Sequence, residues 1–437
     1  MANPAQSIHY VRERMTESLP PPASETGIIG WIRQNLVSSW SNTILTLIGL
    51  YLIWIIVPAV YQFLIGDAVW TGETREDCLG HHAACWPYVK AKFDQFIYGR
   101  YPFDERWRVD LVFLMGTIGL IPMAIPSIPY KAANAFFLLL AFPIASFVLL
   151  TGGHVDFSAW FWISLVAIWA IVSAVMVGVV WAGGNPWNKA QDQLTLWSAV
   201  VACIIAICVV ISLDFGLAPV ETPLWGGLLV TLVVAVTGIA ASLPLGILLA
   251  LGRRSDMPIV RIFSIIFIEF WRGVPLITVL FMSSVLLPLF LPEGVTFDKL
   301  LRALIGVALF ASAYMAETVR GGLQAIPRGQ YEGAQALGLS YWRMMALIIL
   351  PQALKMVIPG IVNTFIGLFK DTTLVLIIGL FDMLGMIQLS FTDPNWSTPF
   401  TSHTGYAFAA LVYWVFCFSM SRYSIFMENR LHTGHRR

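Results

Sequence analysis

The stretch EGAQALGLSYWRMMALIILP, Glu332 to Pro351, is the only hydrophilic break of any length between two membrane-grade apolar stretches in the second half of this chain. Pro327, just upstream, suits the first turn of a helix, where its missing N–H costs nothing. Small residues at 333, 334 and 336 leave a face that another protein can approach closely. Gly338 can take the left-handed turn that ends a helix. Ser340 is placed to cap a second helix carrying Arg343, which then runs into apolar Leu347 to Leu350. The expected product is a short, angled helix-turn-helix knob on a membrane surface, the plainer alternative being an ordinary amphipathic connector.

Composition sets the class around that knob. Of 437 residues, 58% are hydrophobic and 12% charged, with a mean hydropathy of +0.75. No aqueous fold hides that much apolar surface, so the chain reads as an all-α polytopic membrane protein. A formal net charge of +1 gives no basic field for nucleic acid. No GxxxxGK[ST] phosphate loop occurs, so any ATP chemistry belongs to a partner chain. Residues 1–33 hold Arg12, Glu13, Arg14 and Pro20-Pro21-Pro22 but no short apolar core with a small-residue cleavage site, and no removable signal peptide is expected.

A bilayer core of about 30 Å needs on the order of 20 helical residues. Uncharged runs at 34–66, 111–130, 132–155, 157–188 and 193–213 supply five spans. Runs at 222–252, 273–292, 301–324, 356–380 and 394–421 supply five more, making about ten transmembrane helices. Trp160 and Trp181 bracket the fourth, as interfacial aromatics do. With the knob placed in the cytoplasm, alternation puts Arg12, Arg14, Arg33, Lys131, Lys189, Arg253, Arg254, Arg261, Arg328, Arg343, Lys355, Arg422, Arg430, Arg436 and Arg437 inside. The short outer loops keep only Lys299 and Arg302, which agrees with the positive-inside rule and makes both termini cytoplasmic. Residues 67–109 form a long outer loop, and long loops cross largely regardless of charge.

That outer loop carries Cys78 and Cys85. A local disulfide fits an oxidising outer face, while Cys78-x2-His81-His82-x2-Cys85 also has zinc-like spacing. An exposed thiol pair outside the cell usually oxidises, which favours the disulfide; no metal site is assigned. Cys203, Cys208 and Cys417 lie in apolar helices as small hydrophobes.

Charges inside the membrane bear on mechanism. Lys370 and Asp371 follow Lys355 after fourteen uncharged residues, about 21 Å of rise. Each costs roughly 2.5–3.5 kcal/mol in a bilayer, so both should face protein or a watery cavity. Asn363, Gly367 and Lys370 make one helical stripe, with Thr364 and Asp371 beside it and Thr372 and Thr373 following. Such a stripe suits the zwitterionic backbone of an amino acid; the alternative makes Lys370 and Asp371 structural partners of other helices. Glu317 and Arg320, at i and i+3, can pair near the cytoplasmic end of their helix, with Arg272 at the same depth. They read either as interface anchors or as an inner gate.

Glu332-Gly333-Ala334, Gly338 and Ile348-Ile349-Leu350-Pro351 closely resemble the EAA loop of ABC-importer membrane subunits, with Gly333 departing from the usual Ala. The resemblance extends through Glu269-Phe-Trp-Arg-Gly-Val-Pro275, Tyr314-Met-Ala-Glu-Thr-Val-Arg-Gly-Gly-Leu323 and Ile326-Pro-Arg-Gly-Gln330, signatures of the histidine/glutamine branch of polar-amino-acid permeases. Asp77-Cys78 through Cys85-Trp86 and Tyr98-Gly-Arg-Tyr-Pro102 are similar to the second permease subunit of the general L-amino-acid (Aap/Bzt-type) importers. The resemblance implies ATPase coupling through Glu332, Gly333, Ala334, Gly338 and Pro351. It also implies a path-lining helix bearing Lys370, Asp371 and Thr372.

The expected organisation is a cytoplasmic segment 1–33, a five-helix extension 34–221 with the loop 67–109, a type I, MetI-like ABC permease core 222–421 with its coupling loop 327–351, and a cytoplasmic tail 422–437. The resemblance further implies an inner-membrane transport subunit, without enzymatic activity or cofactor of its own. Its expected partners are a cytoplasmic ABC ATPase dimer, a related permease subunit, a periplasmic amino-acid-binding protein, the lipid bilayer and an L-amino-acid substrate. An ion-coupled secondary transporter using Lys370 and Asp371 is the alternative, but such a protein has no use for an EAA loop. A membrane enzyme is more distant, because no span carries a nucleophile–base or paired-carboxylate arrangement.

Overall fold

The structure is a computed structural model in which residues 27–182, 187–290 and 297–431 are described. The segment with Arg12, Arg14 and the proline run, the tail with Arg436 and Arg437, and the side chains of Trp181 and Lys189 lie outside the described residues. The described chain is helical throughout, with three isolated bridges and no strand.

Two compact units are present. The smaller holds α1 (Gly27–Asn35) and α2 (Trp40–Tyr61). Ser39 caps α2 by accepting from the Asn42 N–H, and the Thr46 hydroxyl donates to the Leu36 carbonyl, tying α1 back onto α2. Four residues beyond Pro58 the helix loosens into a π turn over Gln62–Gly66.

The larger unit takes in Thr71–Leu79 and then, from Cys85 on, α3 (Trp86–Tyr98), α4 (Arg106–Ala124) and a span made of α5 (Lys131–Phe136), a π turn and α6 (Phe142–Thr151). α7 (Ala159–Ala182) and α8 (Trp187–Ser212) pack on one another, with Trp169 donating to Ser198 at 3.2 Å. Then come α9 (Gly227–Arg253), α10 (Pro258–Gly273), α11 (Leu276–Phe281), α12 (Lys299–Ala325), α13 (Arg328–Ala336), α14 (Tyr341–Met344), α15 (Leu350–Met356), α16 (Ile358–Asp371), α17 (Met383–Ser390) and α18 (Thr401–Leu431).

Nine described helical segments are long and apolar enough to span a bilayer, and a tenth if the pair Pro258–Gly273 and Leu276–Phe290, bent by 104°, is one span. The sequence reading starts that span at Gly273 and so misses α10 as a helix of its own. The bend falls at Val274-Pro275, where the proline forces its predecessor into an extended conformation (φ −103°, ψ 131°).

α9 and α12 form the spine of the larger unit. Lipid tails are as apolar as leucine, so helices in a bilayer are held by close packing of small residues rather than by hydrophobic burial. α9 presents Gly238, Ser242, Gly246 and Ala250, all buried and spaced every fourth residue, and α12 answers with buried Ala303, Gly306, Ala311, Ser312, Ala313 and Ala316. The region 67–109 is not an open loop: within it α3 packs on α9, α17 and α18. Gly227 is required there, since its φ is +66° and a β-carbon would lie 2.3 Å from the Phe96 carbonyl oxygen. α3 therefore sits at the start of α9, about 40 Å from the end of that 27-residue helix.

Candidate coupling and translocation sites

The knob is formed by α13 and α14. Its turn is a Schellman motif: Leu337 is the C-cap, the Gly338 N–H donates to Gln335 O (2.8 Å) and the Leu339 N–H to Ala334 O (3.2 Å). Gly338 has φ +69°, the left-handed conformation the motif needs. Two local details differ from the sequence reading. Pro327 is the N-cap of α13 rather than part of its first turn, and Ser340, at the N-cap of α14, makes no side-chain capping bond.

Exposure divides the knob into two sides. Ala334 is buried among Tyr331, Leu339, Met344 and Ile349, so it turns inward and is not part of the small-residue face open to a partner. Glu332, Gly333, Ala336 and Leu337 are exposed, and so are Tyr341, Trp342 and Arg343 on α14. Leu337 and Trp342 are 77% and 65% exposed, so the knob bears apolar as well as acidic exposed side chains. Pro351 lies in the first turn of α15, and the π turn Met345–Ile349 before it relieves the clash its ring would make in a regular helix.

Beside the knob lies an ion cluster. Glu317 Oε2 accepts from Arg320 Nε (3.0 Å) and Nη2 (2.7 Å), and Arg272 Nη1 stands 3.7 Å from the same oxygen. The three gate candidates are thus brought together. Two further members come from residues the sequence reading used only as topology markers or as part of a signature: Arg253 Nη1 is 2.8 Å from Glu317 Oε1 and 2.9 Å from Glu269 Oε1. Three arginines and two glutamates, from the ends of α9, α10 and α12, form a network in which Glu317 is the shared acceptor. Networks of this kind hold better than isolated surface pairs.

The stripe on α16 ends where the helix does. Regular helix gives way after Asp371 to a 3₁₀ segment, Thr372–Ile378, closed by left-handed Gly379 (φ +77°). Asn363 and Lys370 are exposed, Gly367 and Asp371 half-buried and Thr372 buried. The Thr372 and Thr373 hydroxyls donate back to the carbonyls of Phe369 (2.8 Å) and Lys370 (3.0 Å). Neither Lys370 nor Asp371 forms an ion pair within 4 Å among the described residues.

The break is buttressed by groups that carried no signal in the sequence. Asp382, fully buried, caps α17 by accepting from the Leu384 (3.2 Å) and Gly385 (2.9 Å) N–H groups and also accepts from the Tyr413 hydroxyl (2.9 Å). Burial pushes its carboxyl above the usual carboxylate range, and these donors oppose that push. The Tyr413 ring packs on Phe369 at 5.4 Å, next to Lys370.

At the other end of α9, Cys78 and Cys85 are joined by a disulfide with Cα atoms 5.8 Å apart, so their sulfurs are not metal ligands. Arg108, 1% exposed, pairs with Glu105 (2.6 Å) and donates to Ala218 O (2.7 Å).

Nine or ten helices of membrane-spanning length among the described residues mark an integral membrane protein, and comparison with known proteins makes it a transport subunit. The chain belongs to the family of amino-acid ABC transporter permeases. Residues 242–432 match the binding-protein-dependent transport system inner membrane components. Over 417 residues the chain is 48% identical to the inner membrane amino-acid ABC transporter permease protein YhdY of Escherichia coli K12, covering 95% of this chain and 96% of that one. It is 43% identical over 440 residues to the glutamate/glutamine/aspartate/asparagine transport system permease protein BztC of Rhodobacter capsulatus, covering 98% and 99%. A crystal structure of an amino acid ABC transporter with histidines is 28% identical, with a TM-score of 0.41 over 47% of this chain and 92% of that one. The chain is a permease subunit and not an enzyme.

Proposed function

We propose that this permease imports L-amino acids delivered by a periplasmic binding protein, and that closure of a cytoplasmic ATPase dimer on the Glu332–Gly338 knob drives the change of access. The observation that carries the reading is the knob itself: an exposed acidic and apolar face on a rigid Schellman turn, set beside the Glu317 network. On this reading the knob side is cytoplasmic and so are both termini. The α3 side, with its disulfide, is then periplasmic.

The five-helix core over 222–421 would line half of a path. Asn363 and Lys370 are exposed on a span otherwise suited to lipid. A charge facing hydrocarbon is costly, so a second permease core, most simply a related subunit, is expected to cover that stripe and enclose a polar cavity. There Lys370 is offered to the substrate carboxylate and Asp371 to its ammonium, with Thr372 and Thr373 setting the helix break beneath them. Arg272, Glu317 and Arg320 would close the inner mouth. The test is uptake of each amino acid into proteoliposomes holding the purified complex, with binding protein, with and without ATP. Accumulation that requires ATP supports the reading; accumulation driven by an ion gradient alone contradicts it.

A further inference from the structure

We infer that Arg253 and Arg254, consecutive residues at the end of α9, form the mechanical link by which displacement of the knob reaches the Glu317 network. This rests on the proposed role of the knob in coupling. α13 is joined to α12 only through Ile326 and Pro327, both extended (ψ 126° and 143°). Such a two-residue connection would flex and absorb a push on the knob. Arg254 spans it. Its Nη1 donates to Leu323 O in the last turn of α12 (2.9 Å) and to the Tyr331 hydroxyl on α13 (3.0 Å), while its guanidinium lies over the Tyr331 ring at 5.4 Å. Tyr331 also donates to Leu323 O (3.3 Å), closing a triangle of one guanidinium, one phenol and one carbonyl. Tyr331 directly precedes Glu332, so the knob's proposed contact residue and its brace are covalent neighbours.

The neighbouring residue carries the motion inward. Arg253 is the α9 member of the cluster and pairs with α10, through Glu269, and with α12, through Glu317. Arg253 and Arg254 share one planar peptide at the end of α9, so a displacement of the Arg254 backbone by an ångström or more also moves Arg253. Ion pairs at 2.8 and 2.9 Å weaken steeply over that distance. The Glu317–Arg320 pair, by contrast, lies within one helix and would ride along unchanged. Knob movement is thereby converted into a change in the bond between α9 and the other two helices. A planar fork suits Arg254, since it must bond two acceptors and stack at once.

The measurement is ATP hydrolysed per substrate transported by the reconstituted complex, for wild type, Tyr331→Phe, Arg254→Met, Arg254→Lys and the double variant Tyr331→Phe/Arg254→Met. Tyr331→Phe removes one oxygen and keeps the ring. The link predicts that Tyr331→Phe and Arg254→Met each assemble with the ATPase and hydrolyse ATP but spend at least about fivefold more ATP per substrate. The double variant should be no worse than the worse single, since the two act as one unit, and Arg254→Lys should recover part of the coupling. An unchanged ratio in Tyr331→Phe, multiplying effects in the double variant, or reduced assembly at an unchanged ratio would overturn the link and leave the pair a brace. Failure of the wild-type complex to couple ATP to uptake would instead defeat the proposed function.

Discussion

Lys92 on α3 donates to Asp393, in the segment that follows α17, joining residues 301 positions apart in the chain. The pair fastens α3 to the segment after α17, alongside the Tyr88–Ser390 hydroxyl contact (2.5 Å) and the Cys85 N–H bond to Thr404 Oγ1 (3.1 Å). Lys92, helped by the Asn395 N–H, holds the Asp393 carboxyl below its usual range. A depressed carboxylate stabilises the fold fully above its unfolded value of about 3.9, and that contribution is lost as pH falls through the lowered folded value. Both side chains are about one-fifth exposed, so the pair is worth about 1 kcal/mol or less. Lys92→Met should therefore lower the melting temperature slightly at pH 7, and the gap from wild type should close below about pH 4. A gap that persists undiminished at pH 3 would assign the effect to packing.

The disulfide predicts an asymmetry in labelling. A bulky membrane-impermeant thiol reagent should modify Cys78 and Cys85 in intact spheroplasts only after reduction. Replacing both by serine should destabilise the 71–110 region by about 2 kcal/mol, the value expected for a short closed loop. Modification without reductant would remove the disulfide, and modification from inside-out vesicles alone would invert the topology.

Lys370 and Asp371 make no ion pair within 4 Å among the described residues, and variants at the two positions tell a substrate role from a structural one. Lys370→Met orphans no internal partner, so assembly and melting temperature should hold while transport per complex falls about 10- to 100-fold. That is the loss of one charge-assisted bond of roughly 1.5–3 kcal/mol. Asp371→Asn should act in the same direction. A matched loss of assembly and transport would place both residues in an interface between subunits instead.

The parts legible in the sequence are those written in local chemistry. Span positions follow from hydropathy, and the knob's turn from Gly338, because a positive φ leaves a compositional trace. The Glu317–Arg320 pair follows from i, i+3 spacing. What escaped depends on which helix ends converge in space. Arg253 and Arg254 look like two loop cations until α10 and α13 are folded beside them, and Asp382 looks like a loop acid until Tyr413 reaches it from α18. α3 is a further case: its 13 residues are too short and too polar to read as a span, and only packing against α9, α17 and α18 reveals that it belongs to the core.

The central claim is that the knob couples this permease to a partner ATPase. A β-branched side chain at Gly338 costs about 1 kcal/mol or more in the left-handed conformation and unmakes the Schellman turn, while Glu332→Lys reverses the charge on the exposed face. The most direct measurement is ATP-dependent amino-acid uptake, with co-purification of the ATPase, for Gly338→Val and Glu332→Lys. Both variants should reach the membrane in normal amounts, retain little ATPase and lose ATP-dependent uptake; normal uptake in both would show that coupling runs elsewhere.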